Sequence, residues 1–148
     1  MLMKNPMLMK CICDMKQGKN FGLLALRLAF GVVFIYHGWL KLNGIDATAT
    51  FFESLSIPIP VFFAYFAGLL EFLGGIALIL GFQTKTFAGL LAIEMIIALL
   101  IFHTKVPYDV ATELPIALLG GLIALHALGA GEWRVTKKEC VHEFGKKK

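Results

Sequence analysis

Charge is what this sequence has least of: Asp, Glu, Lys and Arg make up 16% of it, while 58% is hydrophobic and the mean hydropathy is +0.77. A soluble domain carries about a quarter charged residues, so the shortage excludes an ordinary water-solvated globule and points to lipid as the solvent. Segments that alternate apolar and polar residues over a spanning strand are also missing, which excludes a transmembrane barrel. An open sheet would leave backbone groups unpaired in hydrocarbon, so helices remain. Cysteine is scarce too. Only Cys11, Cys13 and Cys140 occur, and no pair has the C-x-x-C spacing of a thiol exchange centre. A Ser/His/Asp set, a phosphate loop and a dinucleotide fingerprint are likewise absent.

What is present is a series of four apolar runs, at Phe21 to Leu42, Val61 to Phe82, Thr86 to Phe102 and Ala111 to Ala130. Each approaches the roughly 20 residues a helix needs to span about 30 Å of hydrocarbon. The expected fold is therefore all-α, a transmembrane four-helix bundle. Its division is a Lys-rich N-terminal segment at 1–20, the helical domain at 21–130 and a basic tail at 131–148. The first run precedes an A-x-A triplet, Ala47 to Ala49, but it is too long for the roughly 7 to 15 apolar residues of a cleaved signal, so it is read as a retained helix.

Cation placement sets the expected orientation. Lys4, Lys10, Lys16 and Lys19 precede the first run, Arg134, Lys137, Lys138, Lys146, Lys147 and Lys148 follow the last, and Lys85 stands between the second and third. The other two connections hold Lys41 and Lys105, accompanied by Asp46, Glu53, Asp109 and Glu113. Both termini are thus expected on the cytoplasmic side of the plasma membrane, where basic ends meet anionic lipid. These cations are not arrayed on a folded module, so the basic balance implies the bilayer as partner and no nucleic acid. In the longest connection, "GIDATATFFESLSIPIP", Thr48, Phe51, Phe52 and Leu55 recur at helical spacing until Pro58 and Pro60. This predicts a short amphipathic helix at the interface, with a structured loop as the alternative.

The stretch "LRLAFGVVFIYHGWLKLNG" keeps three basic groups, Arg27, His37 and Lys41, in an apolar run. Insertion of Arg or Lys costs about 2.5 to 3.5 kcal/mol, so such residues mark a paired or functional site. On a helical wheel Arg27, Phe34, His37 and Lys41 fall within about 80°, one seam facing the bundle. At about 1.5 Å per residue, Arg27 lies near 10 Å depth, Glu94 near 12 Å and Glu71 near 15 Å, a layer in which the guanidinium can pair with one carboxylate. The second carboxyl is then expected to keep a proton, as an exchange group. Interhelical attachment without chemistry is the competing reading, and the glycines around Glu71 favour it.

Nearer the outer surface His37, Lys41, His103 and Glu113 form a second polar layer. Two imidazoles and a carboxylate at a bundle mouth can hydrogen-bond quinone carbonyls and relay protons, whereas Lys41 can simply snorkel to the headgroups. Glu94 and His103, nine residues apart, fall on roughly opposite faces of one helix. Glu113, Ala117, Gly120, Ala124 and Ala127 make a small-residue stripe, to be met by the first helix or by a partner subunit. Cys11 and Cys13 with Cys140 and His142 offer four soft ligands for a metal, against which stands their reading as incidental, reduced tail thiols.

An early Arg, then "HGWLKLNG", "FFESLSIPIP", "YFAGLLEFLGGIALILGFQTK" and "LGAGEWRV", resemble the DoxX family of small four-helix membrane proteins over residues 21 to 136. The Cys-bearing N-terminal extension and the glutamate and histidine of the third and fourth runs depart from the family's usual pattern. The resemblance implies an integral membrane subunit of an oxidoreductase or respiratory-type complex, with quinone as the implied cofactor and other membrane subunits as partners. A non-catalytic assembly or scaffold subunit is the alternative that the same resemblance allows.

Overall fold

The computed structural model describes the backbone of residues 6–105 and 110–135 and the side chains of 17–101 and 113–135. Those residues form α1 (Pro6–Asn43), α2 (Ile45–Ser54), α3 (Pro60–Leu80), α4 (Thr84–Lys105) and α5 (Val110–Leu128). Three helices contain stretches long and apolar enough to cross a membrane, Gln17–Asn43, Pro60–Leu80 and Thr84–Ile101, and Glu113–Leu128 is a shorter apolar helix.

Local sequence sets the ends of these helices. Pro60 stands at the start of α3, where its missing N–H is no loss, and Gly81 ends it at φ +70°. The Gly81 and Phe82 amides then return to the Leu78 and Ala77 carbonyls at 3.1 and 2.9 Å, a Schellman motif. Only a few residues separate α3 from α4, so the two run antiparallel. Helix α2 forms where the helical spacing predicted a helix: Ala49 is buried and Phe52 half-buried, while Phe51, Asp46 and Glu53 are exposed, and α2 lies against α3. In contrast, α1 begins at Pro6, well before the apolar run, because nothing between Pro6 and Phe21 breaks a helix. The segment expected as a tail is thus largely continuous with the first helix.

The closest packing is between α1 and α3, and it depends on glycine. A Cβ on Gly38 would fall 2.5 Å from the Phe72 amide nitrogen, and one on Gly75 would fall 2.7 Å from the Gly31 carbonyl oxygen. Backbones this close leave no room between the helices, the arrangement small residues allow in lipid. The core continues through Leu78, Leu91, Leu122 and Leu125, all fully buried, and Phe34 at 1% exposure. On α5 the expected small-residue stripe points outward. Glu113, Ala117, Gly120 and Ala127 are exposed and Ala124 is half-buried, and Gly120 has no neighbour within 4 Å of a Cβ position. Leu118, Leu122 and Leu125 face α4 instead, since larger side chains fill the core more completely.

Candidate functional site

Arg27 is 1% exposed and is bonded to backbone carbonyls, while Glu71, the partner that depth suggested, is paired with Lys41. The Arg27 Nε donates to the Leu78 carbonyl (2.8 Å) and its Nη2 to the Ile79 carbonyl (2.8 Å), at the end of α3. Its Nη1 donates to the carbonyls of Ala130 (2.8 Å) and Trp133 (2.7 Å), in the chain that follows α5. The correction has a geometric cause. Gly31 of α1 packs on Gly75 and Ile79, so Arg27, one turn earlier, is level with the end of α3 rather than with Glu71. Helical side chains also tilt toward their own N-terminus, which carries the guanidinium further that way. There it meets the last carbonyls of α3, which lack helical partners and carry the negative end of the helix dipole.

The same end is closed by Asn20, whose Nδ2 donates to Glu132 Oε2 at 2.9 Å while its Oδ1 accepts from the Glu132 amide at 3.3 Å. The Val135 amide adds a bond to the Leu80 carbonyl at 3.1 Å. Sequence reasoning missed this clamp. The available signal was "LGAGEWRV", where Gly129 and Gly131 take φ near +76° and +75° and turn the chain back across the bundle.

The carboxylates meet a different cation. Lys41 Nζ donates to Glu71 Oε2, and the side chains are 26% and 4% exposed. Of the two readings of Lys41, a seam facing the bundle and a chain snorkelling to the headgroups, the contact with Glu71 agrees with the first. Lys41 stands near the C-terminus of α1, so its tilt toward the helix N-terminus directs it inward. Glu94 completes the group. Gly74 of α3 packs on Leu91 of α4, so in an antiparallel pair Glu71, three residues earlier, and Glu94, three residues later, come to one level. Glu94 lies within electrostatic range of Glu71 and of Lys41, and its buried Oε2 has no hydrogen-bond partner among the described residues. The shared depth of the two glutamates therefore holds, and their expected pairing with Arg27 is replaced by one with Lys41.

Two of the remaining candidates, His37 and Glu113, lie within the described residues. His37 is half-buried, with its ring edge-on to Tyr36 at 5.7 Å, and Glu113 is exposed in the first turn of α5. His103 is on α4, but its side chain lies outside the described residues, as do the side chains of Cys11, Cys13, Cys140 and His142. On the outer face of the α1 and α3 pair, Val32, Ile35, Tyr36, Trp39 and Phe72 line an open apolar groove of about 330 Å³. It is separate from the carboxyl pair.

Apolar helices that bury an ammonium with two carboxyls, and close one end with a guanidinium, define a multi-pass membrane protein with an internal polar site. The chain belongs to the DoxX family, whose model matches residues 22–104. It is similar to "Putative oxidoreductase CatD" of Bacillus subtilis (strain 168), 31% identical over 76% of this chain and 81% of that protein. It is also similar to "Inner membrane protein YqjF" of Escherichia coli (strain K12), 29% identical over 83% and 95% of the two chains. A shorter match, 37% identical over 46% of this chain and 49% of the relative, is to "Inner membrane protein YphA" of the same organism. No solved structure matches. With these relatives and its spans, this is a multi-pass protein of the cell's inner membrane.

Proposed function

We propose that the chain is the integral membrane subunit of an oxidoreductase-type complex and contacts a lipid-soluble quinone through its buried polar cluster. The observation that carries this reading is the Lys41, Glu71 and Glu94 group, held near the middle of α3 and α4 apart from the Arg27 clamp. Intramembrane ionisable groups are costly, and a cation with two carboxyls is more than helix attachment needs. The relative named as an oxidoreductase adds the reaction class. In this reading Lys41 and His37 supply hydrogen bonds to a quinone oxygen, and the carboxyls supply its proton. His103 and Glu113 border the approach, and Arg27 holds the bundle without touching quinone. The fourth apolar helix spans with the other three, and the basic ends place both termini in the cytoplasm.

The test is turnover. In the parent complex, purified with its subunits counted, His37→Ala and Lys41→Met should reduce quinone-coupled turnover about tenfold or more without dissociating the subunit. Wild-type rates in both variants would remove the quinone contact from consideration. Orientation has its own measurement: a membrane-impermeant thiol reagent should label Cys11, Cys13 and Cys140 only after permeabilisation.

A scaffold role is the second reading, and one observation favours it. The outward small-residue stripe of α5, with nothing near Gly120, is available to another helix. If scaffolding is the role, Gly120→Leu should leave the isolated chain folded and weaken its retention in the complex. Turnover per assembled complex should then be unaffected by His37→Ala.

A further inference from the structure

We infer that Glu71 and Glu94 carry a single proton between them opposite the Lys41 ammonium, so that the trio is a neutral, one-proton exchange site inside the bundle. The inference goes beyond the oxidoreductase reading, because it concerns the isolated chain and stands whether or not a quinone is contacted.

The count of charges follows from position. Lys41 is bonded to Glu71, and Glu94 lies at the same level on the facing helix, within range of both. One ammonium balances one carboxylate. Ionising both carboxyls would leave a net negative charge in a medium with little screening, and protonating both would strand the lysine. The unpartnered, buried Glu94 Oε2 agrees with this count, since an ionised carboxylate there would lack the donors that make burial tolerable.

Among the described residues, other charged groups on the packed elements do not alter the balance. On α1, Arg27 is about 21 Å along the helix from Lys41 and is engaged with carbonyls. His37 is the remaining titratable neighbour on that helix, one turn before Lys41. On α4, Lys85 lies at the far end. On α5, Glu113 is exposed, and His126 is held at the Lys85 carbonyl by Nδ1 at 2.9 Å. Asp46 and Glu53 of α2 are exposed.

Access is also set by the structure. Glu71 is closed off, whereas Lys41 remains 26% exposed and Glu94 is half-buried, so Lys41 and Glu94 are the members of the trio nearer the surface of the bundle. Uptake of a second proton by the carboxyl pair would remove the partner of Lys41, and its flexible stem would carry the ammonium toward the headgroups. Release of that proton would draw it back.

The experiment is infrared absorption of the full chain purified in detergent at neutral pH, in H₂O and D₂O. A protonated-carboxyl C=O band, shifted in D₂O, is expected in the wild type. Glu94→Gln should abolish it, and so should Glu71→Gln, because the remaining carboxyl must then ionise to balance Lys41. Lys41→Met should instead raise the band about twofold, since neither carboxyl then has a cation. Glu113→Gln, at an exposed position, should leave it unchanged. A wild-type spectrum without the band overturns the inference whether or not any variant folds. A band that survives both Gln variants belongs elsewhere and overturns it equally. Because no partner or quinone enters the measurement, failure here is distinct from failure of the turnover test.

Discussion

The two cations that α1 turns toward its neighbours, Arg27 fully buried and Lys41 partly exposed, are held by opposite means. Arg27 is surrounded by carbonyl oxygens of α3 and of the chain after α5, while Lys41 meets carboxyls of α3 and α4. Carbonyl dipoles cannot titrate, and a guanidinium does not lose its proton in a protein. The four carbonyl bonds of Arg27 therefore do not titrate, and they act as a structural clamp. Carboxyls can gain and lose protons, so the Lys41 site has more than one charge state available. The lesson is that an intramembrane cation announces its role through its acceptors, more than through its own identity or depth.

The largest effect expected from breaking this contrast is at the clamp. Arg27→Leu leaves the ends of α3 and the post-α5 segment without their shared donor, and should cost about 5 kcal/mol, close to the whole stability of a small domain. Arg27→Lys should recover little, because a point-like ammonium cannot span four separated carbonyls. Thermal unfolding in detergent, with limited proteolysis after Leu128, measures both. A Lys variant as stable as the wild type would show that charge alone suffices.

Glu71→Gln comes next. It removes the carboxylate bonded to Lys41, leaving Glu94 to balance the ammonium from a poorer position, and should cost about 2 kcal/mol, below the 3 to 5 kcal/mol of a fully enclosed pair because Lys41 is partly exposed. The double change Lys41→Met with Glu71→Gln should recover much of that loss, and a double-mutant cycle gives the coupling. Strict additivity would mean that the pair contributes nothing. The same cycle between Arg27 and Glu71 should show no coupling, which distinguishes the two sites directly. The smallest effect is expected for Asn20→Ala. This loses the two hydrogen bonds to Glu132 and should cost about 1 kcal/mol, read as a modest fall in Tm and faster cleavage after Leu128.

Much of the architecture could be read from the residues because it depends on local features. Pro60 and Gly81 delimit α3 within two residues of the run expected at Val61 to Phe82, and the spacing of Thr48, Phe51 and Phe52 identifies α2. The common level of Glu71 and Glu94 was also legible, since two helices joined by a tight turn share a depth scale. The partners of Arg27 and Lys41 were not. Depth counted along α1 had to assume where that helix enters the bundle, and the Gly31 and Gly38 contacts that set its register with α3 are long-range facts. Backbone carbonyls, moreover, have no letter in a sequence. The outward turn of the α5 stripe was hidden for a related reason: small residues show where a helix can be approached, and only the surrounding side chains show from which side.

The clamp has a consequence for biosynthesis. Arg27 emerges early on the first membrane helix, while two of its acceptors, at Ala130 and Trp133, lie 103 and 106 residues later. During translation the arginine can meet the Leu78 and Ile79 carbonyls of α3 first, and its remaining two acceptors arrive only with the segment after α5. A nascent chain interrupted before Ala130 would hold half of the Arg27 site, and one extended past Trp133 would hold all four carbonyls. The order of synthesis is thus also the order in which this site is assembled, α3 first and the returning segment last.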